Sequence, residues 1–520
     1  MIRPDQLPPY HPTAYLDFSK PENRDPMLAA LKKIRGTFGK RYENLINGQR
    51  LGAASWFKSL NPSNSKEVVG EFPLASAADA TLALESAHSA FKSWSKTDPA
   101  HRASILLKAA DLMKQRRHEF SAMMVLEAGK NWPEADADTA EAIDFLEFYA
   151  REMLRYANPA PIYQLPGERN ELKYLPVGVV LVIPPWNFPC AILAGMTAAA
   201  LVTGNTVVLK PASDTPAIGH MVAELFFEAG IPGGVLNYIT GSGGEIGDLL
   251  VTHPKTRMIA FTGSMEVGLR INELAAKVQP GQIWVKRVIA EMGGKDAIIV
   301  NEDADLEWAA QGIVASAFGY QGQKCSACSR AIIHKSVYDQ VVNRVVELTS
   351  RLTVGPAEQN PSMGPVSSER ALKTIMKYID SGKQQGRLVF GGKRLSEEGY
   401  YLEPTVIADI KPDAVIAQEE IFGPVLAIMK ADSFDDALAI ANGTRYGLTG
   451  AVYSKNTEVL KRAADEFFVG NLYLNRKCTG AIVGAHPFGG FNMSGTDSKA
   501  GGSDYLLLFL QAQSIATKIN

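Results

Sequence analysis

Cysteine is scarce in this chain, with four in 520 residues, at positions 190, 325, 328 and 478. So few and so scattered, they cannot build a disulfide framework, and they point to a reducing compartment and a cytoplasmic home. A dominant charge sign is missing too: 53 basic residues face 55 acidic ones. No electrostatic footprint therefore argues for nucleic acid or an anionic membrane surface, and the expected partner is a small molecule. The opening stretch MIRPDQLPPYHPTAYLDFSK lacks a charged segment followed by an apolar one, so no export is expected. Internal repeats and low-complexity tracts are absent as well. What is present is a hydrophobic content of 46%, enough over this length for large cores and two or more domains.

Charge is also missing locally, from Tyr174 to Leu209, a run that invites a membrane-spanning reading. Its punctuation excludes one. VGVVLVI is short and β-branched, PPWNFP is a turn, AILAGMTAAALV favours helix, and GNTVVLK is a turn into another strand. Strands without alternation suit a parallel sheet covered on both faces, which predicts a doubly wound α/β unit.

Residues 1 to about 40 read as a polar, helix-containing extension, followed by short strands in AASWFKSLNPSNSKEVVGEFPLAS. Three helical patterns come next, one of them continuous from DPAHRAS to VLEAG, and another with Ile143, Leu146, Ala150 and Met153 as its inward stripe and Glu141 beside it. Two strand-to-helix joints carry glycine: ITGSGGEIG, with Gly241, Gly243 and Gly247, and FTGSMEVG, with Gly263 and Gly268. Glycine there lets a phosphate approach the backbone and the next helix's N–H groups, although a turn without a ligand uses glycine equally well. The third glycine of the first joint falls one position late for the usual fingerprint.

QGQKCSACSR places Cys325 and Cys328 three apart. A zinc site wants a second pair of ligands, and none has the spacing. A redox pair wants a preceding strand, whereas this motif lies between a helix and the strand AIIH. A nucleophile wants one thiolate in a loop, oxyanion donors and a separate base. Cys325 follows Gly322-Gln323-Lys324, where Lys324 is placed to help hold a thiolate, and Glu291 in AEMGG is a carboxyl at a strand end. A solvated Glu291 and ordinary buried cysteines are the plainer alternatives.

PPWNFP with VVLKPAS, FTGSMEVG, EMGGKD, GQKCSACSR, QEEIFGPV and PFGGFNMSG occur in the order found in the aldehyde dehydrogenase superfamily, which the chain resembles from about residue 40 to its end. The wording of FGYQGQKCSACSR and NRKCTGAIVGAHPFGGFNMSGTDSKAGG is similar to the 1-pyrroline-5-carboxylate dehydrogenase group. The resemblance implies a Rossmann-type cofactor domain (41–156 and 177–290), an α/β catalytic domain (291–490) and a small β extension for oligomerisation (157–176 and 491–520), behind an N-terminal extension (1–40). It implies a homodimer or an assembly of dimers, with the run DYLLLFLQAQSIA buried against the partner.

The same resemblance implies NAD-dependent oxidation of L-glutamate γ-semialdehyde to L-glutamate, with a different semialdehyde as the alternative. Cys325 would attack the aldehyde, the Asn187 amide and Cys325 N–H would hold the oxyanion, and Glu291 would activate water. Cys328 has no role beyond that of a small buried residue. Ile183, Pro185, Trp186, Lys210, Gly263, Ser264 and Gly268 would meet the cofactor, with Gly243 and Gly247 on its adenosine side and Glu420 and Phe422 on its nicotinamide side. Ser213 stands where many NAD-specific relatives carry an acid, so NAD is expected to be preferred with NADP use possible. Ser326, Gly480 and Ala481 would receive the substrate carboxylate, Phe188 and Phe488 would flank its chain, and Glu141 would stand at the entrance. No metal is implied.

Overall fold

The structure, a computed structural model, describes residues 7–159 and 161–519. The uncharged run folds as a strand, Val179–Ile183, a turn, a helix, Ala191–Val202, and a second strand, Thr206–Leu209. Both strands lie in a seven-stranded sheet ordered Arg287–Glu291, Thr256–Thr262, Val179–Ile183, Thr206–Leu209, Leu236–Tyr238, Asn44–Ile46, Gln49–Leu51. The first five are mutually parallel and the last two join antiparallel. Among the described residues no helix is long and apolar enough to cross a membrane; the apolar run is a sheet interior, buried on both faces.

A second seven-stranded sheet is ordered Arg387–Phe390, Thr405–Ala408, Val425–Ala431, Arg330–His334, Ala297–Val300, Thr449–Tyr453, Asn471–Leu474. All but the first of these run parallel. Glu291 ends a strand of the first sheet and Ala297 begins one of the second. The short link Met292-Gly293-Gly294-Lys295-Asp296 therefore sets the carboxyl edge of one sheet against the amino edge of the other. In open parallel sheets the carboxyl edge is where ligands bind.

Two expectations are corrected. The helix expected to run unbroken through residues 99–128 is interrupted at Arg116, whose φ of −111° closes Pro99–Gln115 before Arg117–Ala128 begins. The C-terminal run is covered in part without a second subunit: Leu507 and Leu508 are half-buried, while Leu506, Phe509 and Leu510 are buried in the chain's own core. A short 3-10 turn, Tyr505–Phe509, tucks them in, and Tyr505 stacks on Tyr149 with ring centroids 5.3 Å apart. Only Leu510–Lys518 of the stretch 491–520 pairs with Glu168–Pro176, as a two-stranded antiparallel arm.

The helix that borders the site, Trp132–Tyr156, starts where the Asn131 side chain accepts the Glu134 N–H at 3.1 Å. Its stripe of Ile143, Leu146, Ala150 and Met153 is buried. The opposite side carries Glu134, Asp138 and Glu141, spaced four and three residues apart, so three carboxyls share one face.

Candidate active site

Cys325 sits on a loop whose shape is imposed by backbone geometry. The helix Leu306–Phe318 ends, and Tyr320, Gln321 and Gly322 follow at φ of 48°, 56° and 66°. A left-handed non-glycine residue costs roughly 1–3 kcal/mol and persists only where its surroundings determine it. They do so here. The Tyr320 hydroxyl donates to the Ala128 carbonyl at 3.0 Å, and the Gln321 amide donates to the carbonyls of Gly129 and Pro365 at 3.0 and 2.8 Å. Gly322 must be glycine for a second reason, because a Cβ would lie 2.3 Å from the Gly423 carbonyl oxygen.

The loop meets the link between the sheets. A Cβ on Gly294 would lie 2.5 Å from the Cys325 carbonyl oxygen, so this glycine is what lets the Cys325 backbone pass the strand end that carries Glu291. Asn187 reaches the same loop, its amide donating to the Gln323 carbonyl at 3.0 Å. The Cys325 backbone N–H makes no hydrogen bond with any described residue, which leaves it a free donor beside Asn187. Sequence-predicted nucleophile, oxyanion donors and carboxyl thus come together.

Their electrostatics differ from the sequence expectation. Lys324 does not hold a thiolate: its ammonium is 2.7 Å from Glu134 and ties the loop to the Trp132–Tyr156 helix. Consecutive side chains diverge, so adjacency in sequence put Lys324 beside Cys325 without pointing it there. Burial pushes the Cys325 thiol well above its ordinary value, Asp296, Glu420 and Glu291 add to the rise, and the Ser326 N–H only partly opposes it. Glu291 is pushed up to about 7 by burial, against the Ser498 hydroxyl at 2.6 Å and the N–H groups of Ser498 and Gly490, each at 3.1 Å. A carboxyl with its midpoint at neutrality is placed for proton transfer at working pH.

The candidate cofactor residues line the carboxyl edge of the first sheet. Ile183 ends its strand and Lys210 follows another. Lys210 is buried, which lowers it to about 8. Trp186 meets Phe422 edge to face at 5.4 Å, and Phe422 itself is held at a φ of 57°. Burial lifts Glu420 to about 7, and its carboxylate accepts the Gly294 N–H at 2.9 Å. Ser264 caps the helix Met265–Ala276, and the Gly263 N–H donates to the Glu291 carbonyl. Gly243 and Gly247 lie in a π-helical turn with no atom within 4 Å of where a Cβ would be. A helix N-terminus with unencumbered glycines beside it suits a diphosphate, so the donor set fits a dinucleotide. Gly268 does something else: a Cβ there would strike Met292 at 2.6 Å, so its smallness serves helix-to-strand packing. Pro185 lies in the turn between Ile183 and Asn187, and Ser213 is exposed beyond the strand end.

On the substrate side, Ser326 is buried, and its carbonyl accepts from the Thr449 hydroxyl and the Cys478 thiol, each at 3.4 Å. The N–H groups of Gly480 and Ala481 bond to no described residue, while the Gly480 carbonyl is turned to Arg476 at 3.1 Å. Phe488 is pinned by paired backbone bonds to Ala500. Glu141 and Ala481 share a cavity of about 220 Å³, where burial, with Asp138 and Asp144, raises Glu141 to about 8.

Several participants escaped sequence reasoning. The outer wall of that cavity is Pro12, Thr13, Ala14 and Tyr15, held by Thr13 bonding Asp144 at 2.7 and 2.8 Å and by Leu16 N–H to Asp136 at 2.9 Å. Ser498 on Glu291, and Glu134 on Lys324, were missed for the same reason: each pair is separated by nearly 200 residues or more, and no local spacing signals it.

Residues 51–515 match the model of the aldehyde dehydrogenase family. The chain is 59% identical to the 1-pyrroline-5-carboxylate dehydrogenase of Geobacillus thermodenitrificans (strain NG80-2), over 98% of this chain and 99% of that protein. Among solved structures, a 1-pyrroline-5-carboxylate dehydrogenase from Thermus with bound NAD superposes with a TM-score of 0.97 at 50% identity, covering 99% of this chain and 100% of that one. A betaine aldehyde dehydrogenase from Staphylococcus aureus in complex with NAD+ superposes with a TM-score of 0.89 at 29% identity, covering 95% and 98%.

Proposed function

The chain belongs to the aldehyde dehydrogenase family, and from that premise we propose that it oxidises L-glutamate γ-semialdehyde, the open form of 1-pyrroline-5-carboxylate, to L-glutamate with NAD. The observation that carries the reading is the near end-to-end identity of 59% to a 1-pyrroline-5-carboxylate dehydrogenase, supported by the Asn187 amide on the Cys325 loop at Gln323 and by the passage of that loop against Gly294.

The Cys325 sulfur adds to the aldehyde carbon once its thiol proton has passed to solvent, and the carbonyl oxygen becomes an oxyanion. The Asn187 amide and the Cys325 N–H are the donors placed for it, and one such donor is worth about 2.7–4 kcal/mol. Bound NAD supplies the hydride acceptor, and a thioester to Cys325 remains. Glu291, half ionised near neutrality, takes a proton from the attacking water and the thioester opens to the acid and the free thiol. Ile183, Pro185, Trp186, Lys210, Ser264, Gly243, Gly247, Glu420 and Phe422 are the residues assigned to hold the dinucleotide. The free N–H groups of Gly480 and Ala481, with the Ser326 hydroxyl, are assigned to the α-carboxylate, because a buried anion needs several donors. Phe188 and Phe488 are assigned to the aliphatic middle and Glu141 to the outer end.

The division into cofactor, catalytic and arm units belongs to the same reading and is supported by the two sheets. A dimer built through the arm Glu168–Pro176 with Leu510–Lys518 is supported by that strand pair's independence of both sheets, and a cytoplasmic home by four unpaired thiols. The deciding experiment is a panel of aldehydes with NAD, read by absorbance of the reduced cofactor. Glutamate semialdehyde should give the highest kcat/KM and Cys325→Ala should abolish turnover; a preference for succinate semialdehyde, or an active Cys325→Ala, would overturn the assignment.

A further inference from the structure

Lys130 is completely buried and takes no part in the chemistry above. Its ammonium lies 2.9 Å from an Asp138 carboxylate oxygen, itself completely buried. It also sits 4.0 Å from the centroid of the Phe188 ring and 4.4 Å from that of Tyr320, whose rings stand nearly perpendicular, 6.5 Å apart. An ammonium has three donors and no acceptor, and burial without partners is costly. Here one carboxylate and two ring faces surround it. Ring faces attract a desolvated cation through their quadrupole, so the two aromatics stand in for hydrogen-bond acceptors.

Each contact leads to a different part of the catalytic centre. Phe188 is the neighbour of Asn187. Tyr320 opens the left-handed turn that carries Cys325. The second Asp138 oxygen accepts the Ala191 N–H at 2.7 Å, fixing the start of the helix that follows Asn187 and Phe188. The backbone beside Lys130 reaches the same turn, since the carbonyls of Ala128 and Gly129 receive Tyr320 and Gln321. Asn187 in turn donates to Gln323, two residues before Cys325.

We infer that Lys130 is a positioning residue: its ammonium, clamped between the Phe188 and Tyr320 rings and neutralised by Asp138, sets the separation between the Asn187 oxyanion donor and the Cys325 sulfur. The inference rests on the proposed aldehyde oxidation. Its effect belongs in the chemical step. Lys130 is not among the residues assigned to the cofactor or to the substrate carboxylate, so kcat should fall while affinity for both ligands holds.

The test compares wild type with the double variant Lys130→Met/Asp138→Asn, which removes both buried charges together, and with Lys130→Arg, which keeps the cation. Cofactor affinity by fluorescence titration reports the fold, and kcat and KM are measured for glutamate semialdehyde and for propanal. The double variant should bind NAD within threefold of wild type and keep KM within threefold, yet lose at least thirtyfold in kcat on both aldehydes. Lys130→Arg should retain a fifth or more of wild-type kcat. A double variant with kcat within threefold of wild type would overturn the inference, and so would a folded arginine variant as slow as the neutral one. Should the double variant fail to bind NAD, Phe188→Leu is read in its place, since it leaves the ion pair intact: a tenfold or greater loss in kcat with KM for both aldehydes within threefold supports the clamp, and an unchanged kcat, or a loss accompanied by a larger rise in KM, overturns it. Wild type without activity on glutamate semialdehyde would refute the substrate assignment instead, and the propanal comparison would still decide the role of Lys130.

Discussion

The hydroxyl of Ser498 is the shortest contact to the Glu291 carboxylate, at 2.6 Å, and Ser498→Ala removes it while keeping the backbone N–H at 3.1 Å. Glu291 has its midpoint at about 7 because burial outweighs three hydrogen bonds. A hydrogen bond to a charged group contributes about 1.5–3 kcal/mol, and about 1.4 kcal/mol moves a pKa by one unit, so losing this bond should raise the midpoint to about 8–9. The base form is the carboxylate, hence turnover rises with pH through the midpoint. Wild-type kcat should be near half-maximal at neutrality, whereas the variant, with about 1–10% of its carboxyl ionised there, should be slower by about five- to fiftyfold and recover in alkali. The sign for stability is independent of catalysis. A carboxyl whose folded pKa lies above its unfolded value favours folding fully below the unfolded value of about 4.3 and loses that contribution as pH rises through the folded one. Ser498→Ala should therefore melt lower than wild type at pH 8, with the gap closing by pH 5. The assay is kcat against pH from about 5.5 to about 9.5 by cofactor absorbance, beside melting curves at about pH 5 and about pH 8. An acid limb unmoved in a folded, NAD-binding Ser498→Ala would show that Glu291 does not govern the limb and would remove it as the base.

Other consequences are quicker to state. Asn187→Ala should lower kcat about 10²–10³-fold with little change in KM, because its amide is needed only once the oxyanion forms; single-turnover hydride transfer measures it directly. Ser326→Ala should raise KM for glutamate semialdehyde more than for propanal, and equal effects on the two would remove Ser326 from carboxylate recognition. Lys324→Met should leave the pH profile of Cys325 alkylation unchanged, since its ammonium is bound to Glu134, while lowering stability by about 1–3 kcal/mol through the carboxylate left behind; a shifted alkylation profile would return Lys324 to the thiol.

The parts of this molecule legible in its sequence are those encoded by local spacing. Strands without alternation, broken by PPWNFP and a Gly-Asn turn, announced a covered parallel sheet, and Val179–Ile183 and Thr206–Leu209 lie in its interior. Glycines at strand ends marked the edge where phosphate can approach, although Gly268 proved to be a packing position against Met292. Cys325 and Glu291 stood out as candidates because each occupies a loop or strand end, whereas the roles of nucleophile, amide donor and base came from the family resemblance and not from spacing. Their electrostatics were not legible. Lys324 precedes Cys325 in sequence, yet its charge is spent on a helix nearly 200 residues away, and the thiol is left to a surrounding of carboxyls. Glu291 takes its midpoint from burial set against hydrogen bonds from Ser498 and Gly490, which only the closing of the chain's C-terminal segment over the strand end brings near. The same closure buries Leu506 and Phe509, members of an apolar run that the family resemblance assigned to a partner. Spacing along the chain selects which groups can react, whereas the dielectric and the charges that set when they react come from contacts made across the fold. Lys130 is the limiting case: a lone lysine after a helix-ending glycine has no motif at all, and only the two rings and the carboxylate gathered from three separate segments give its charge a task.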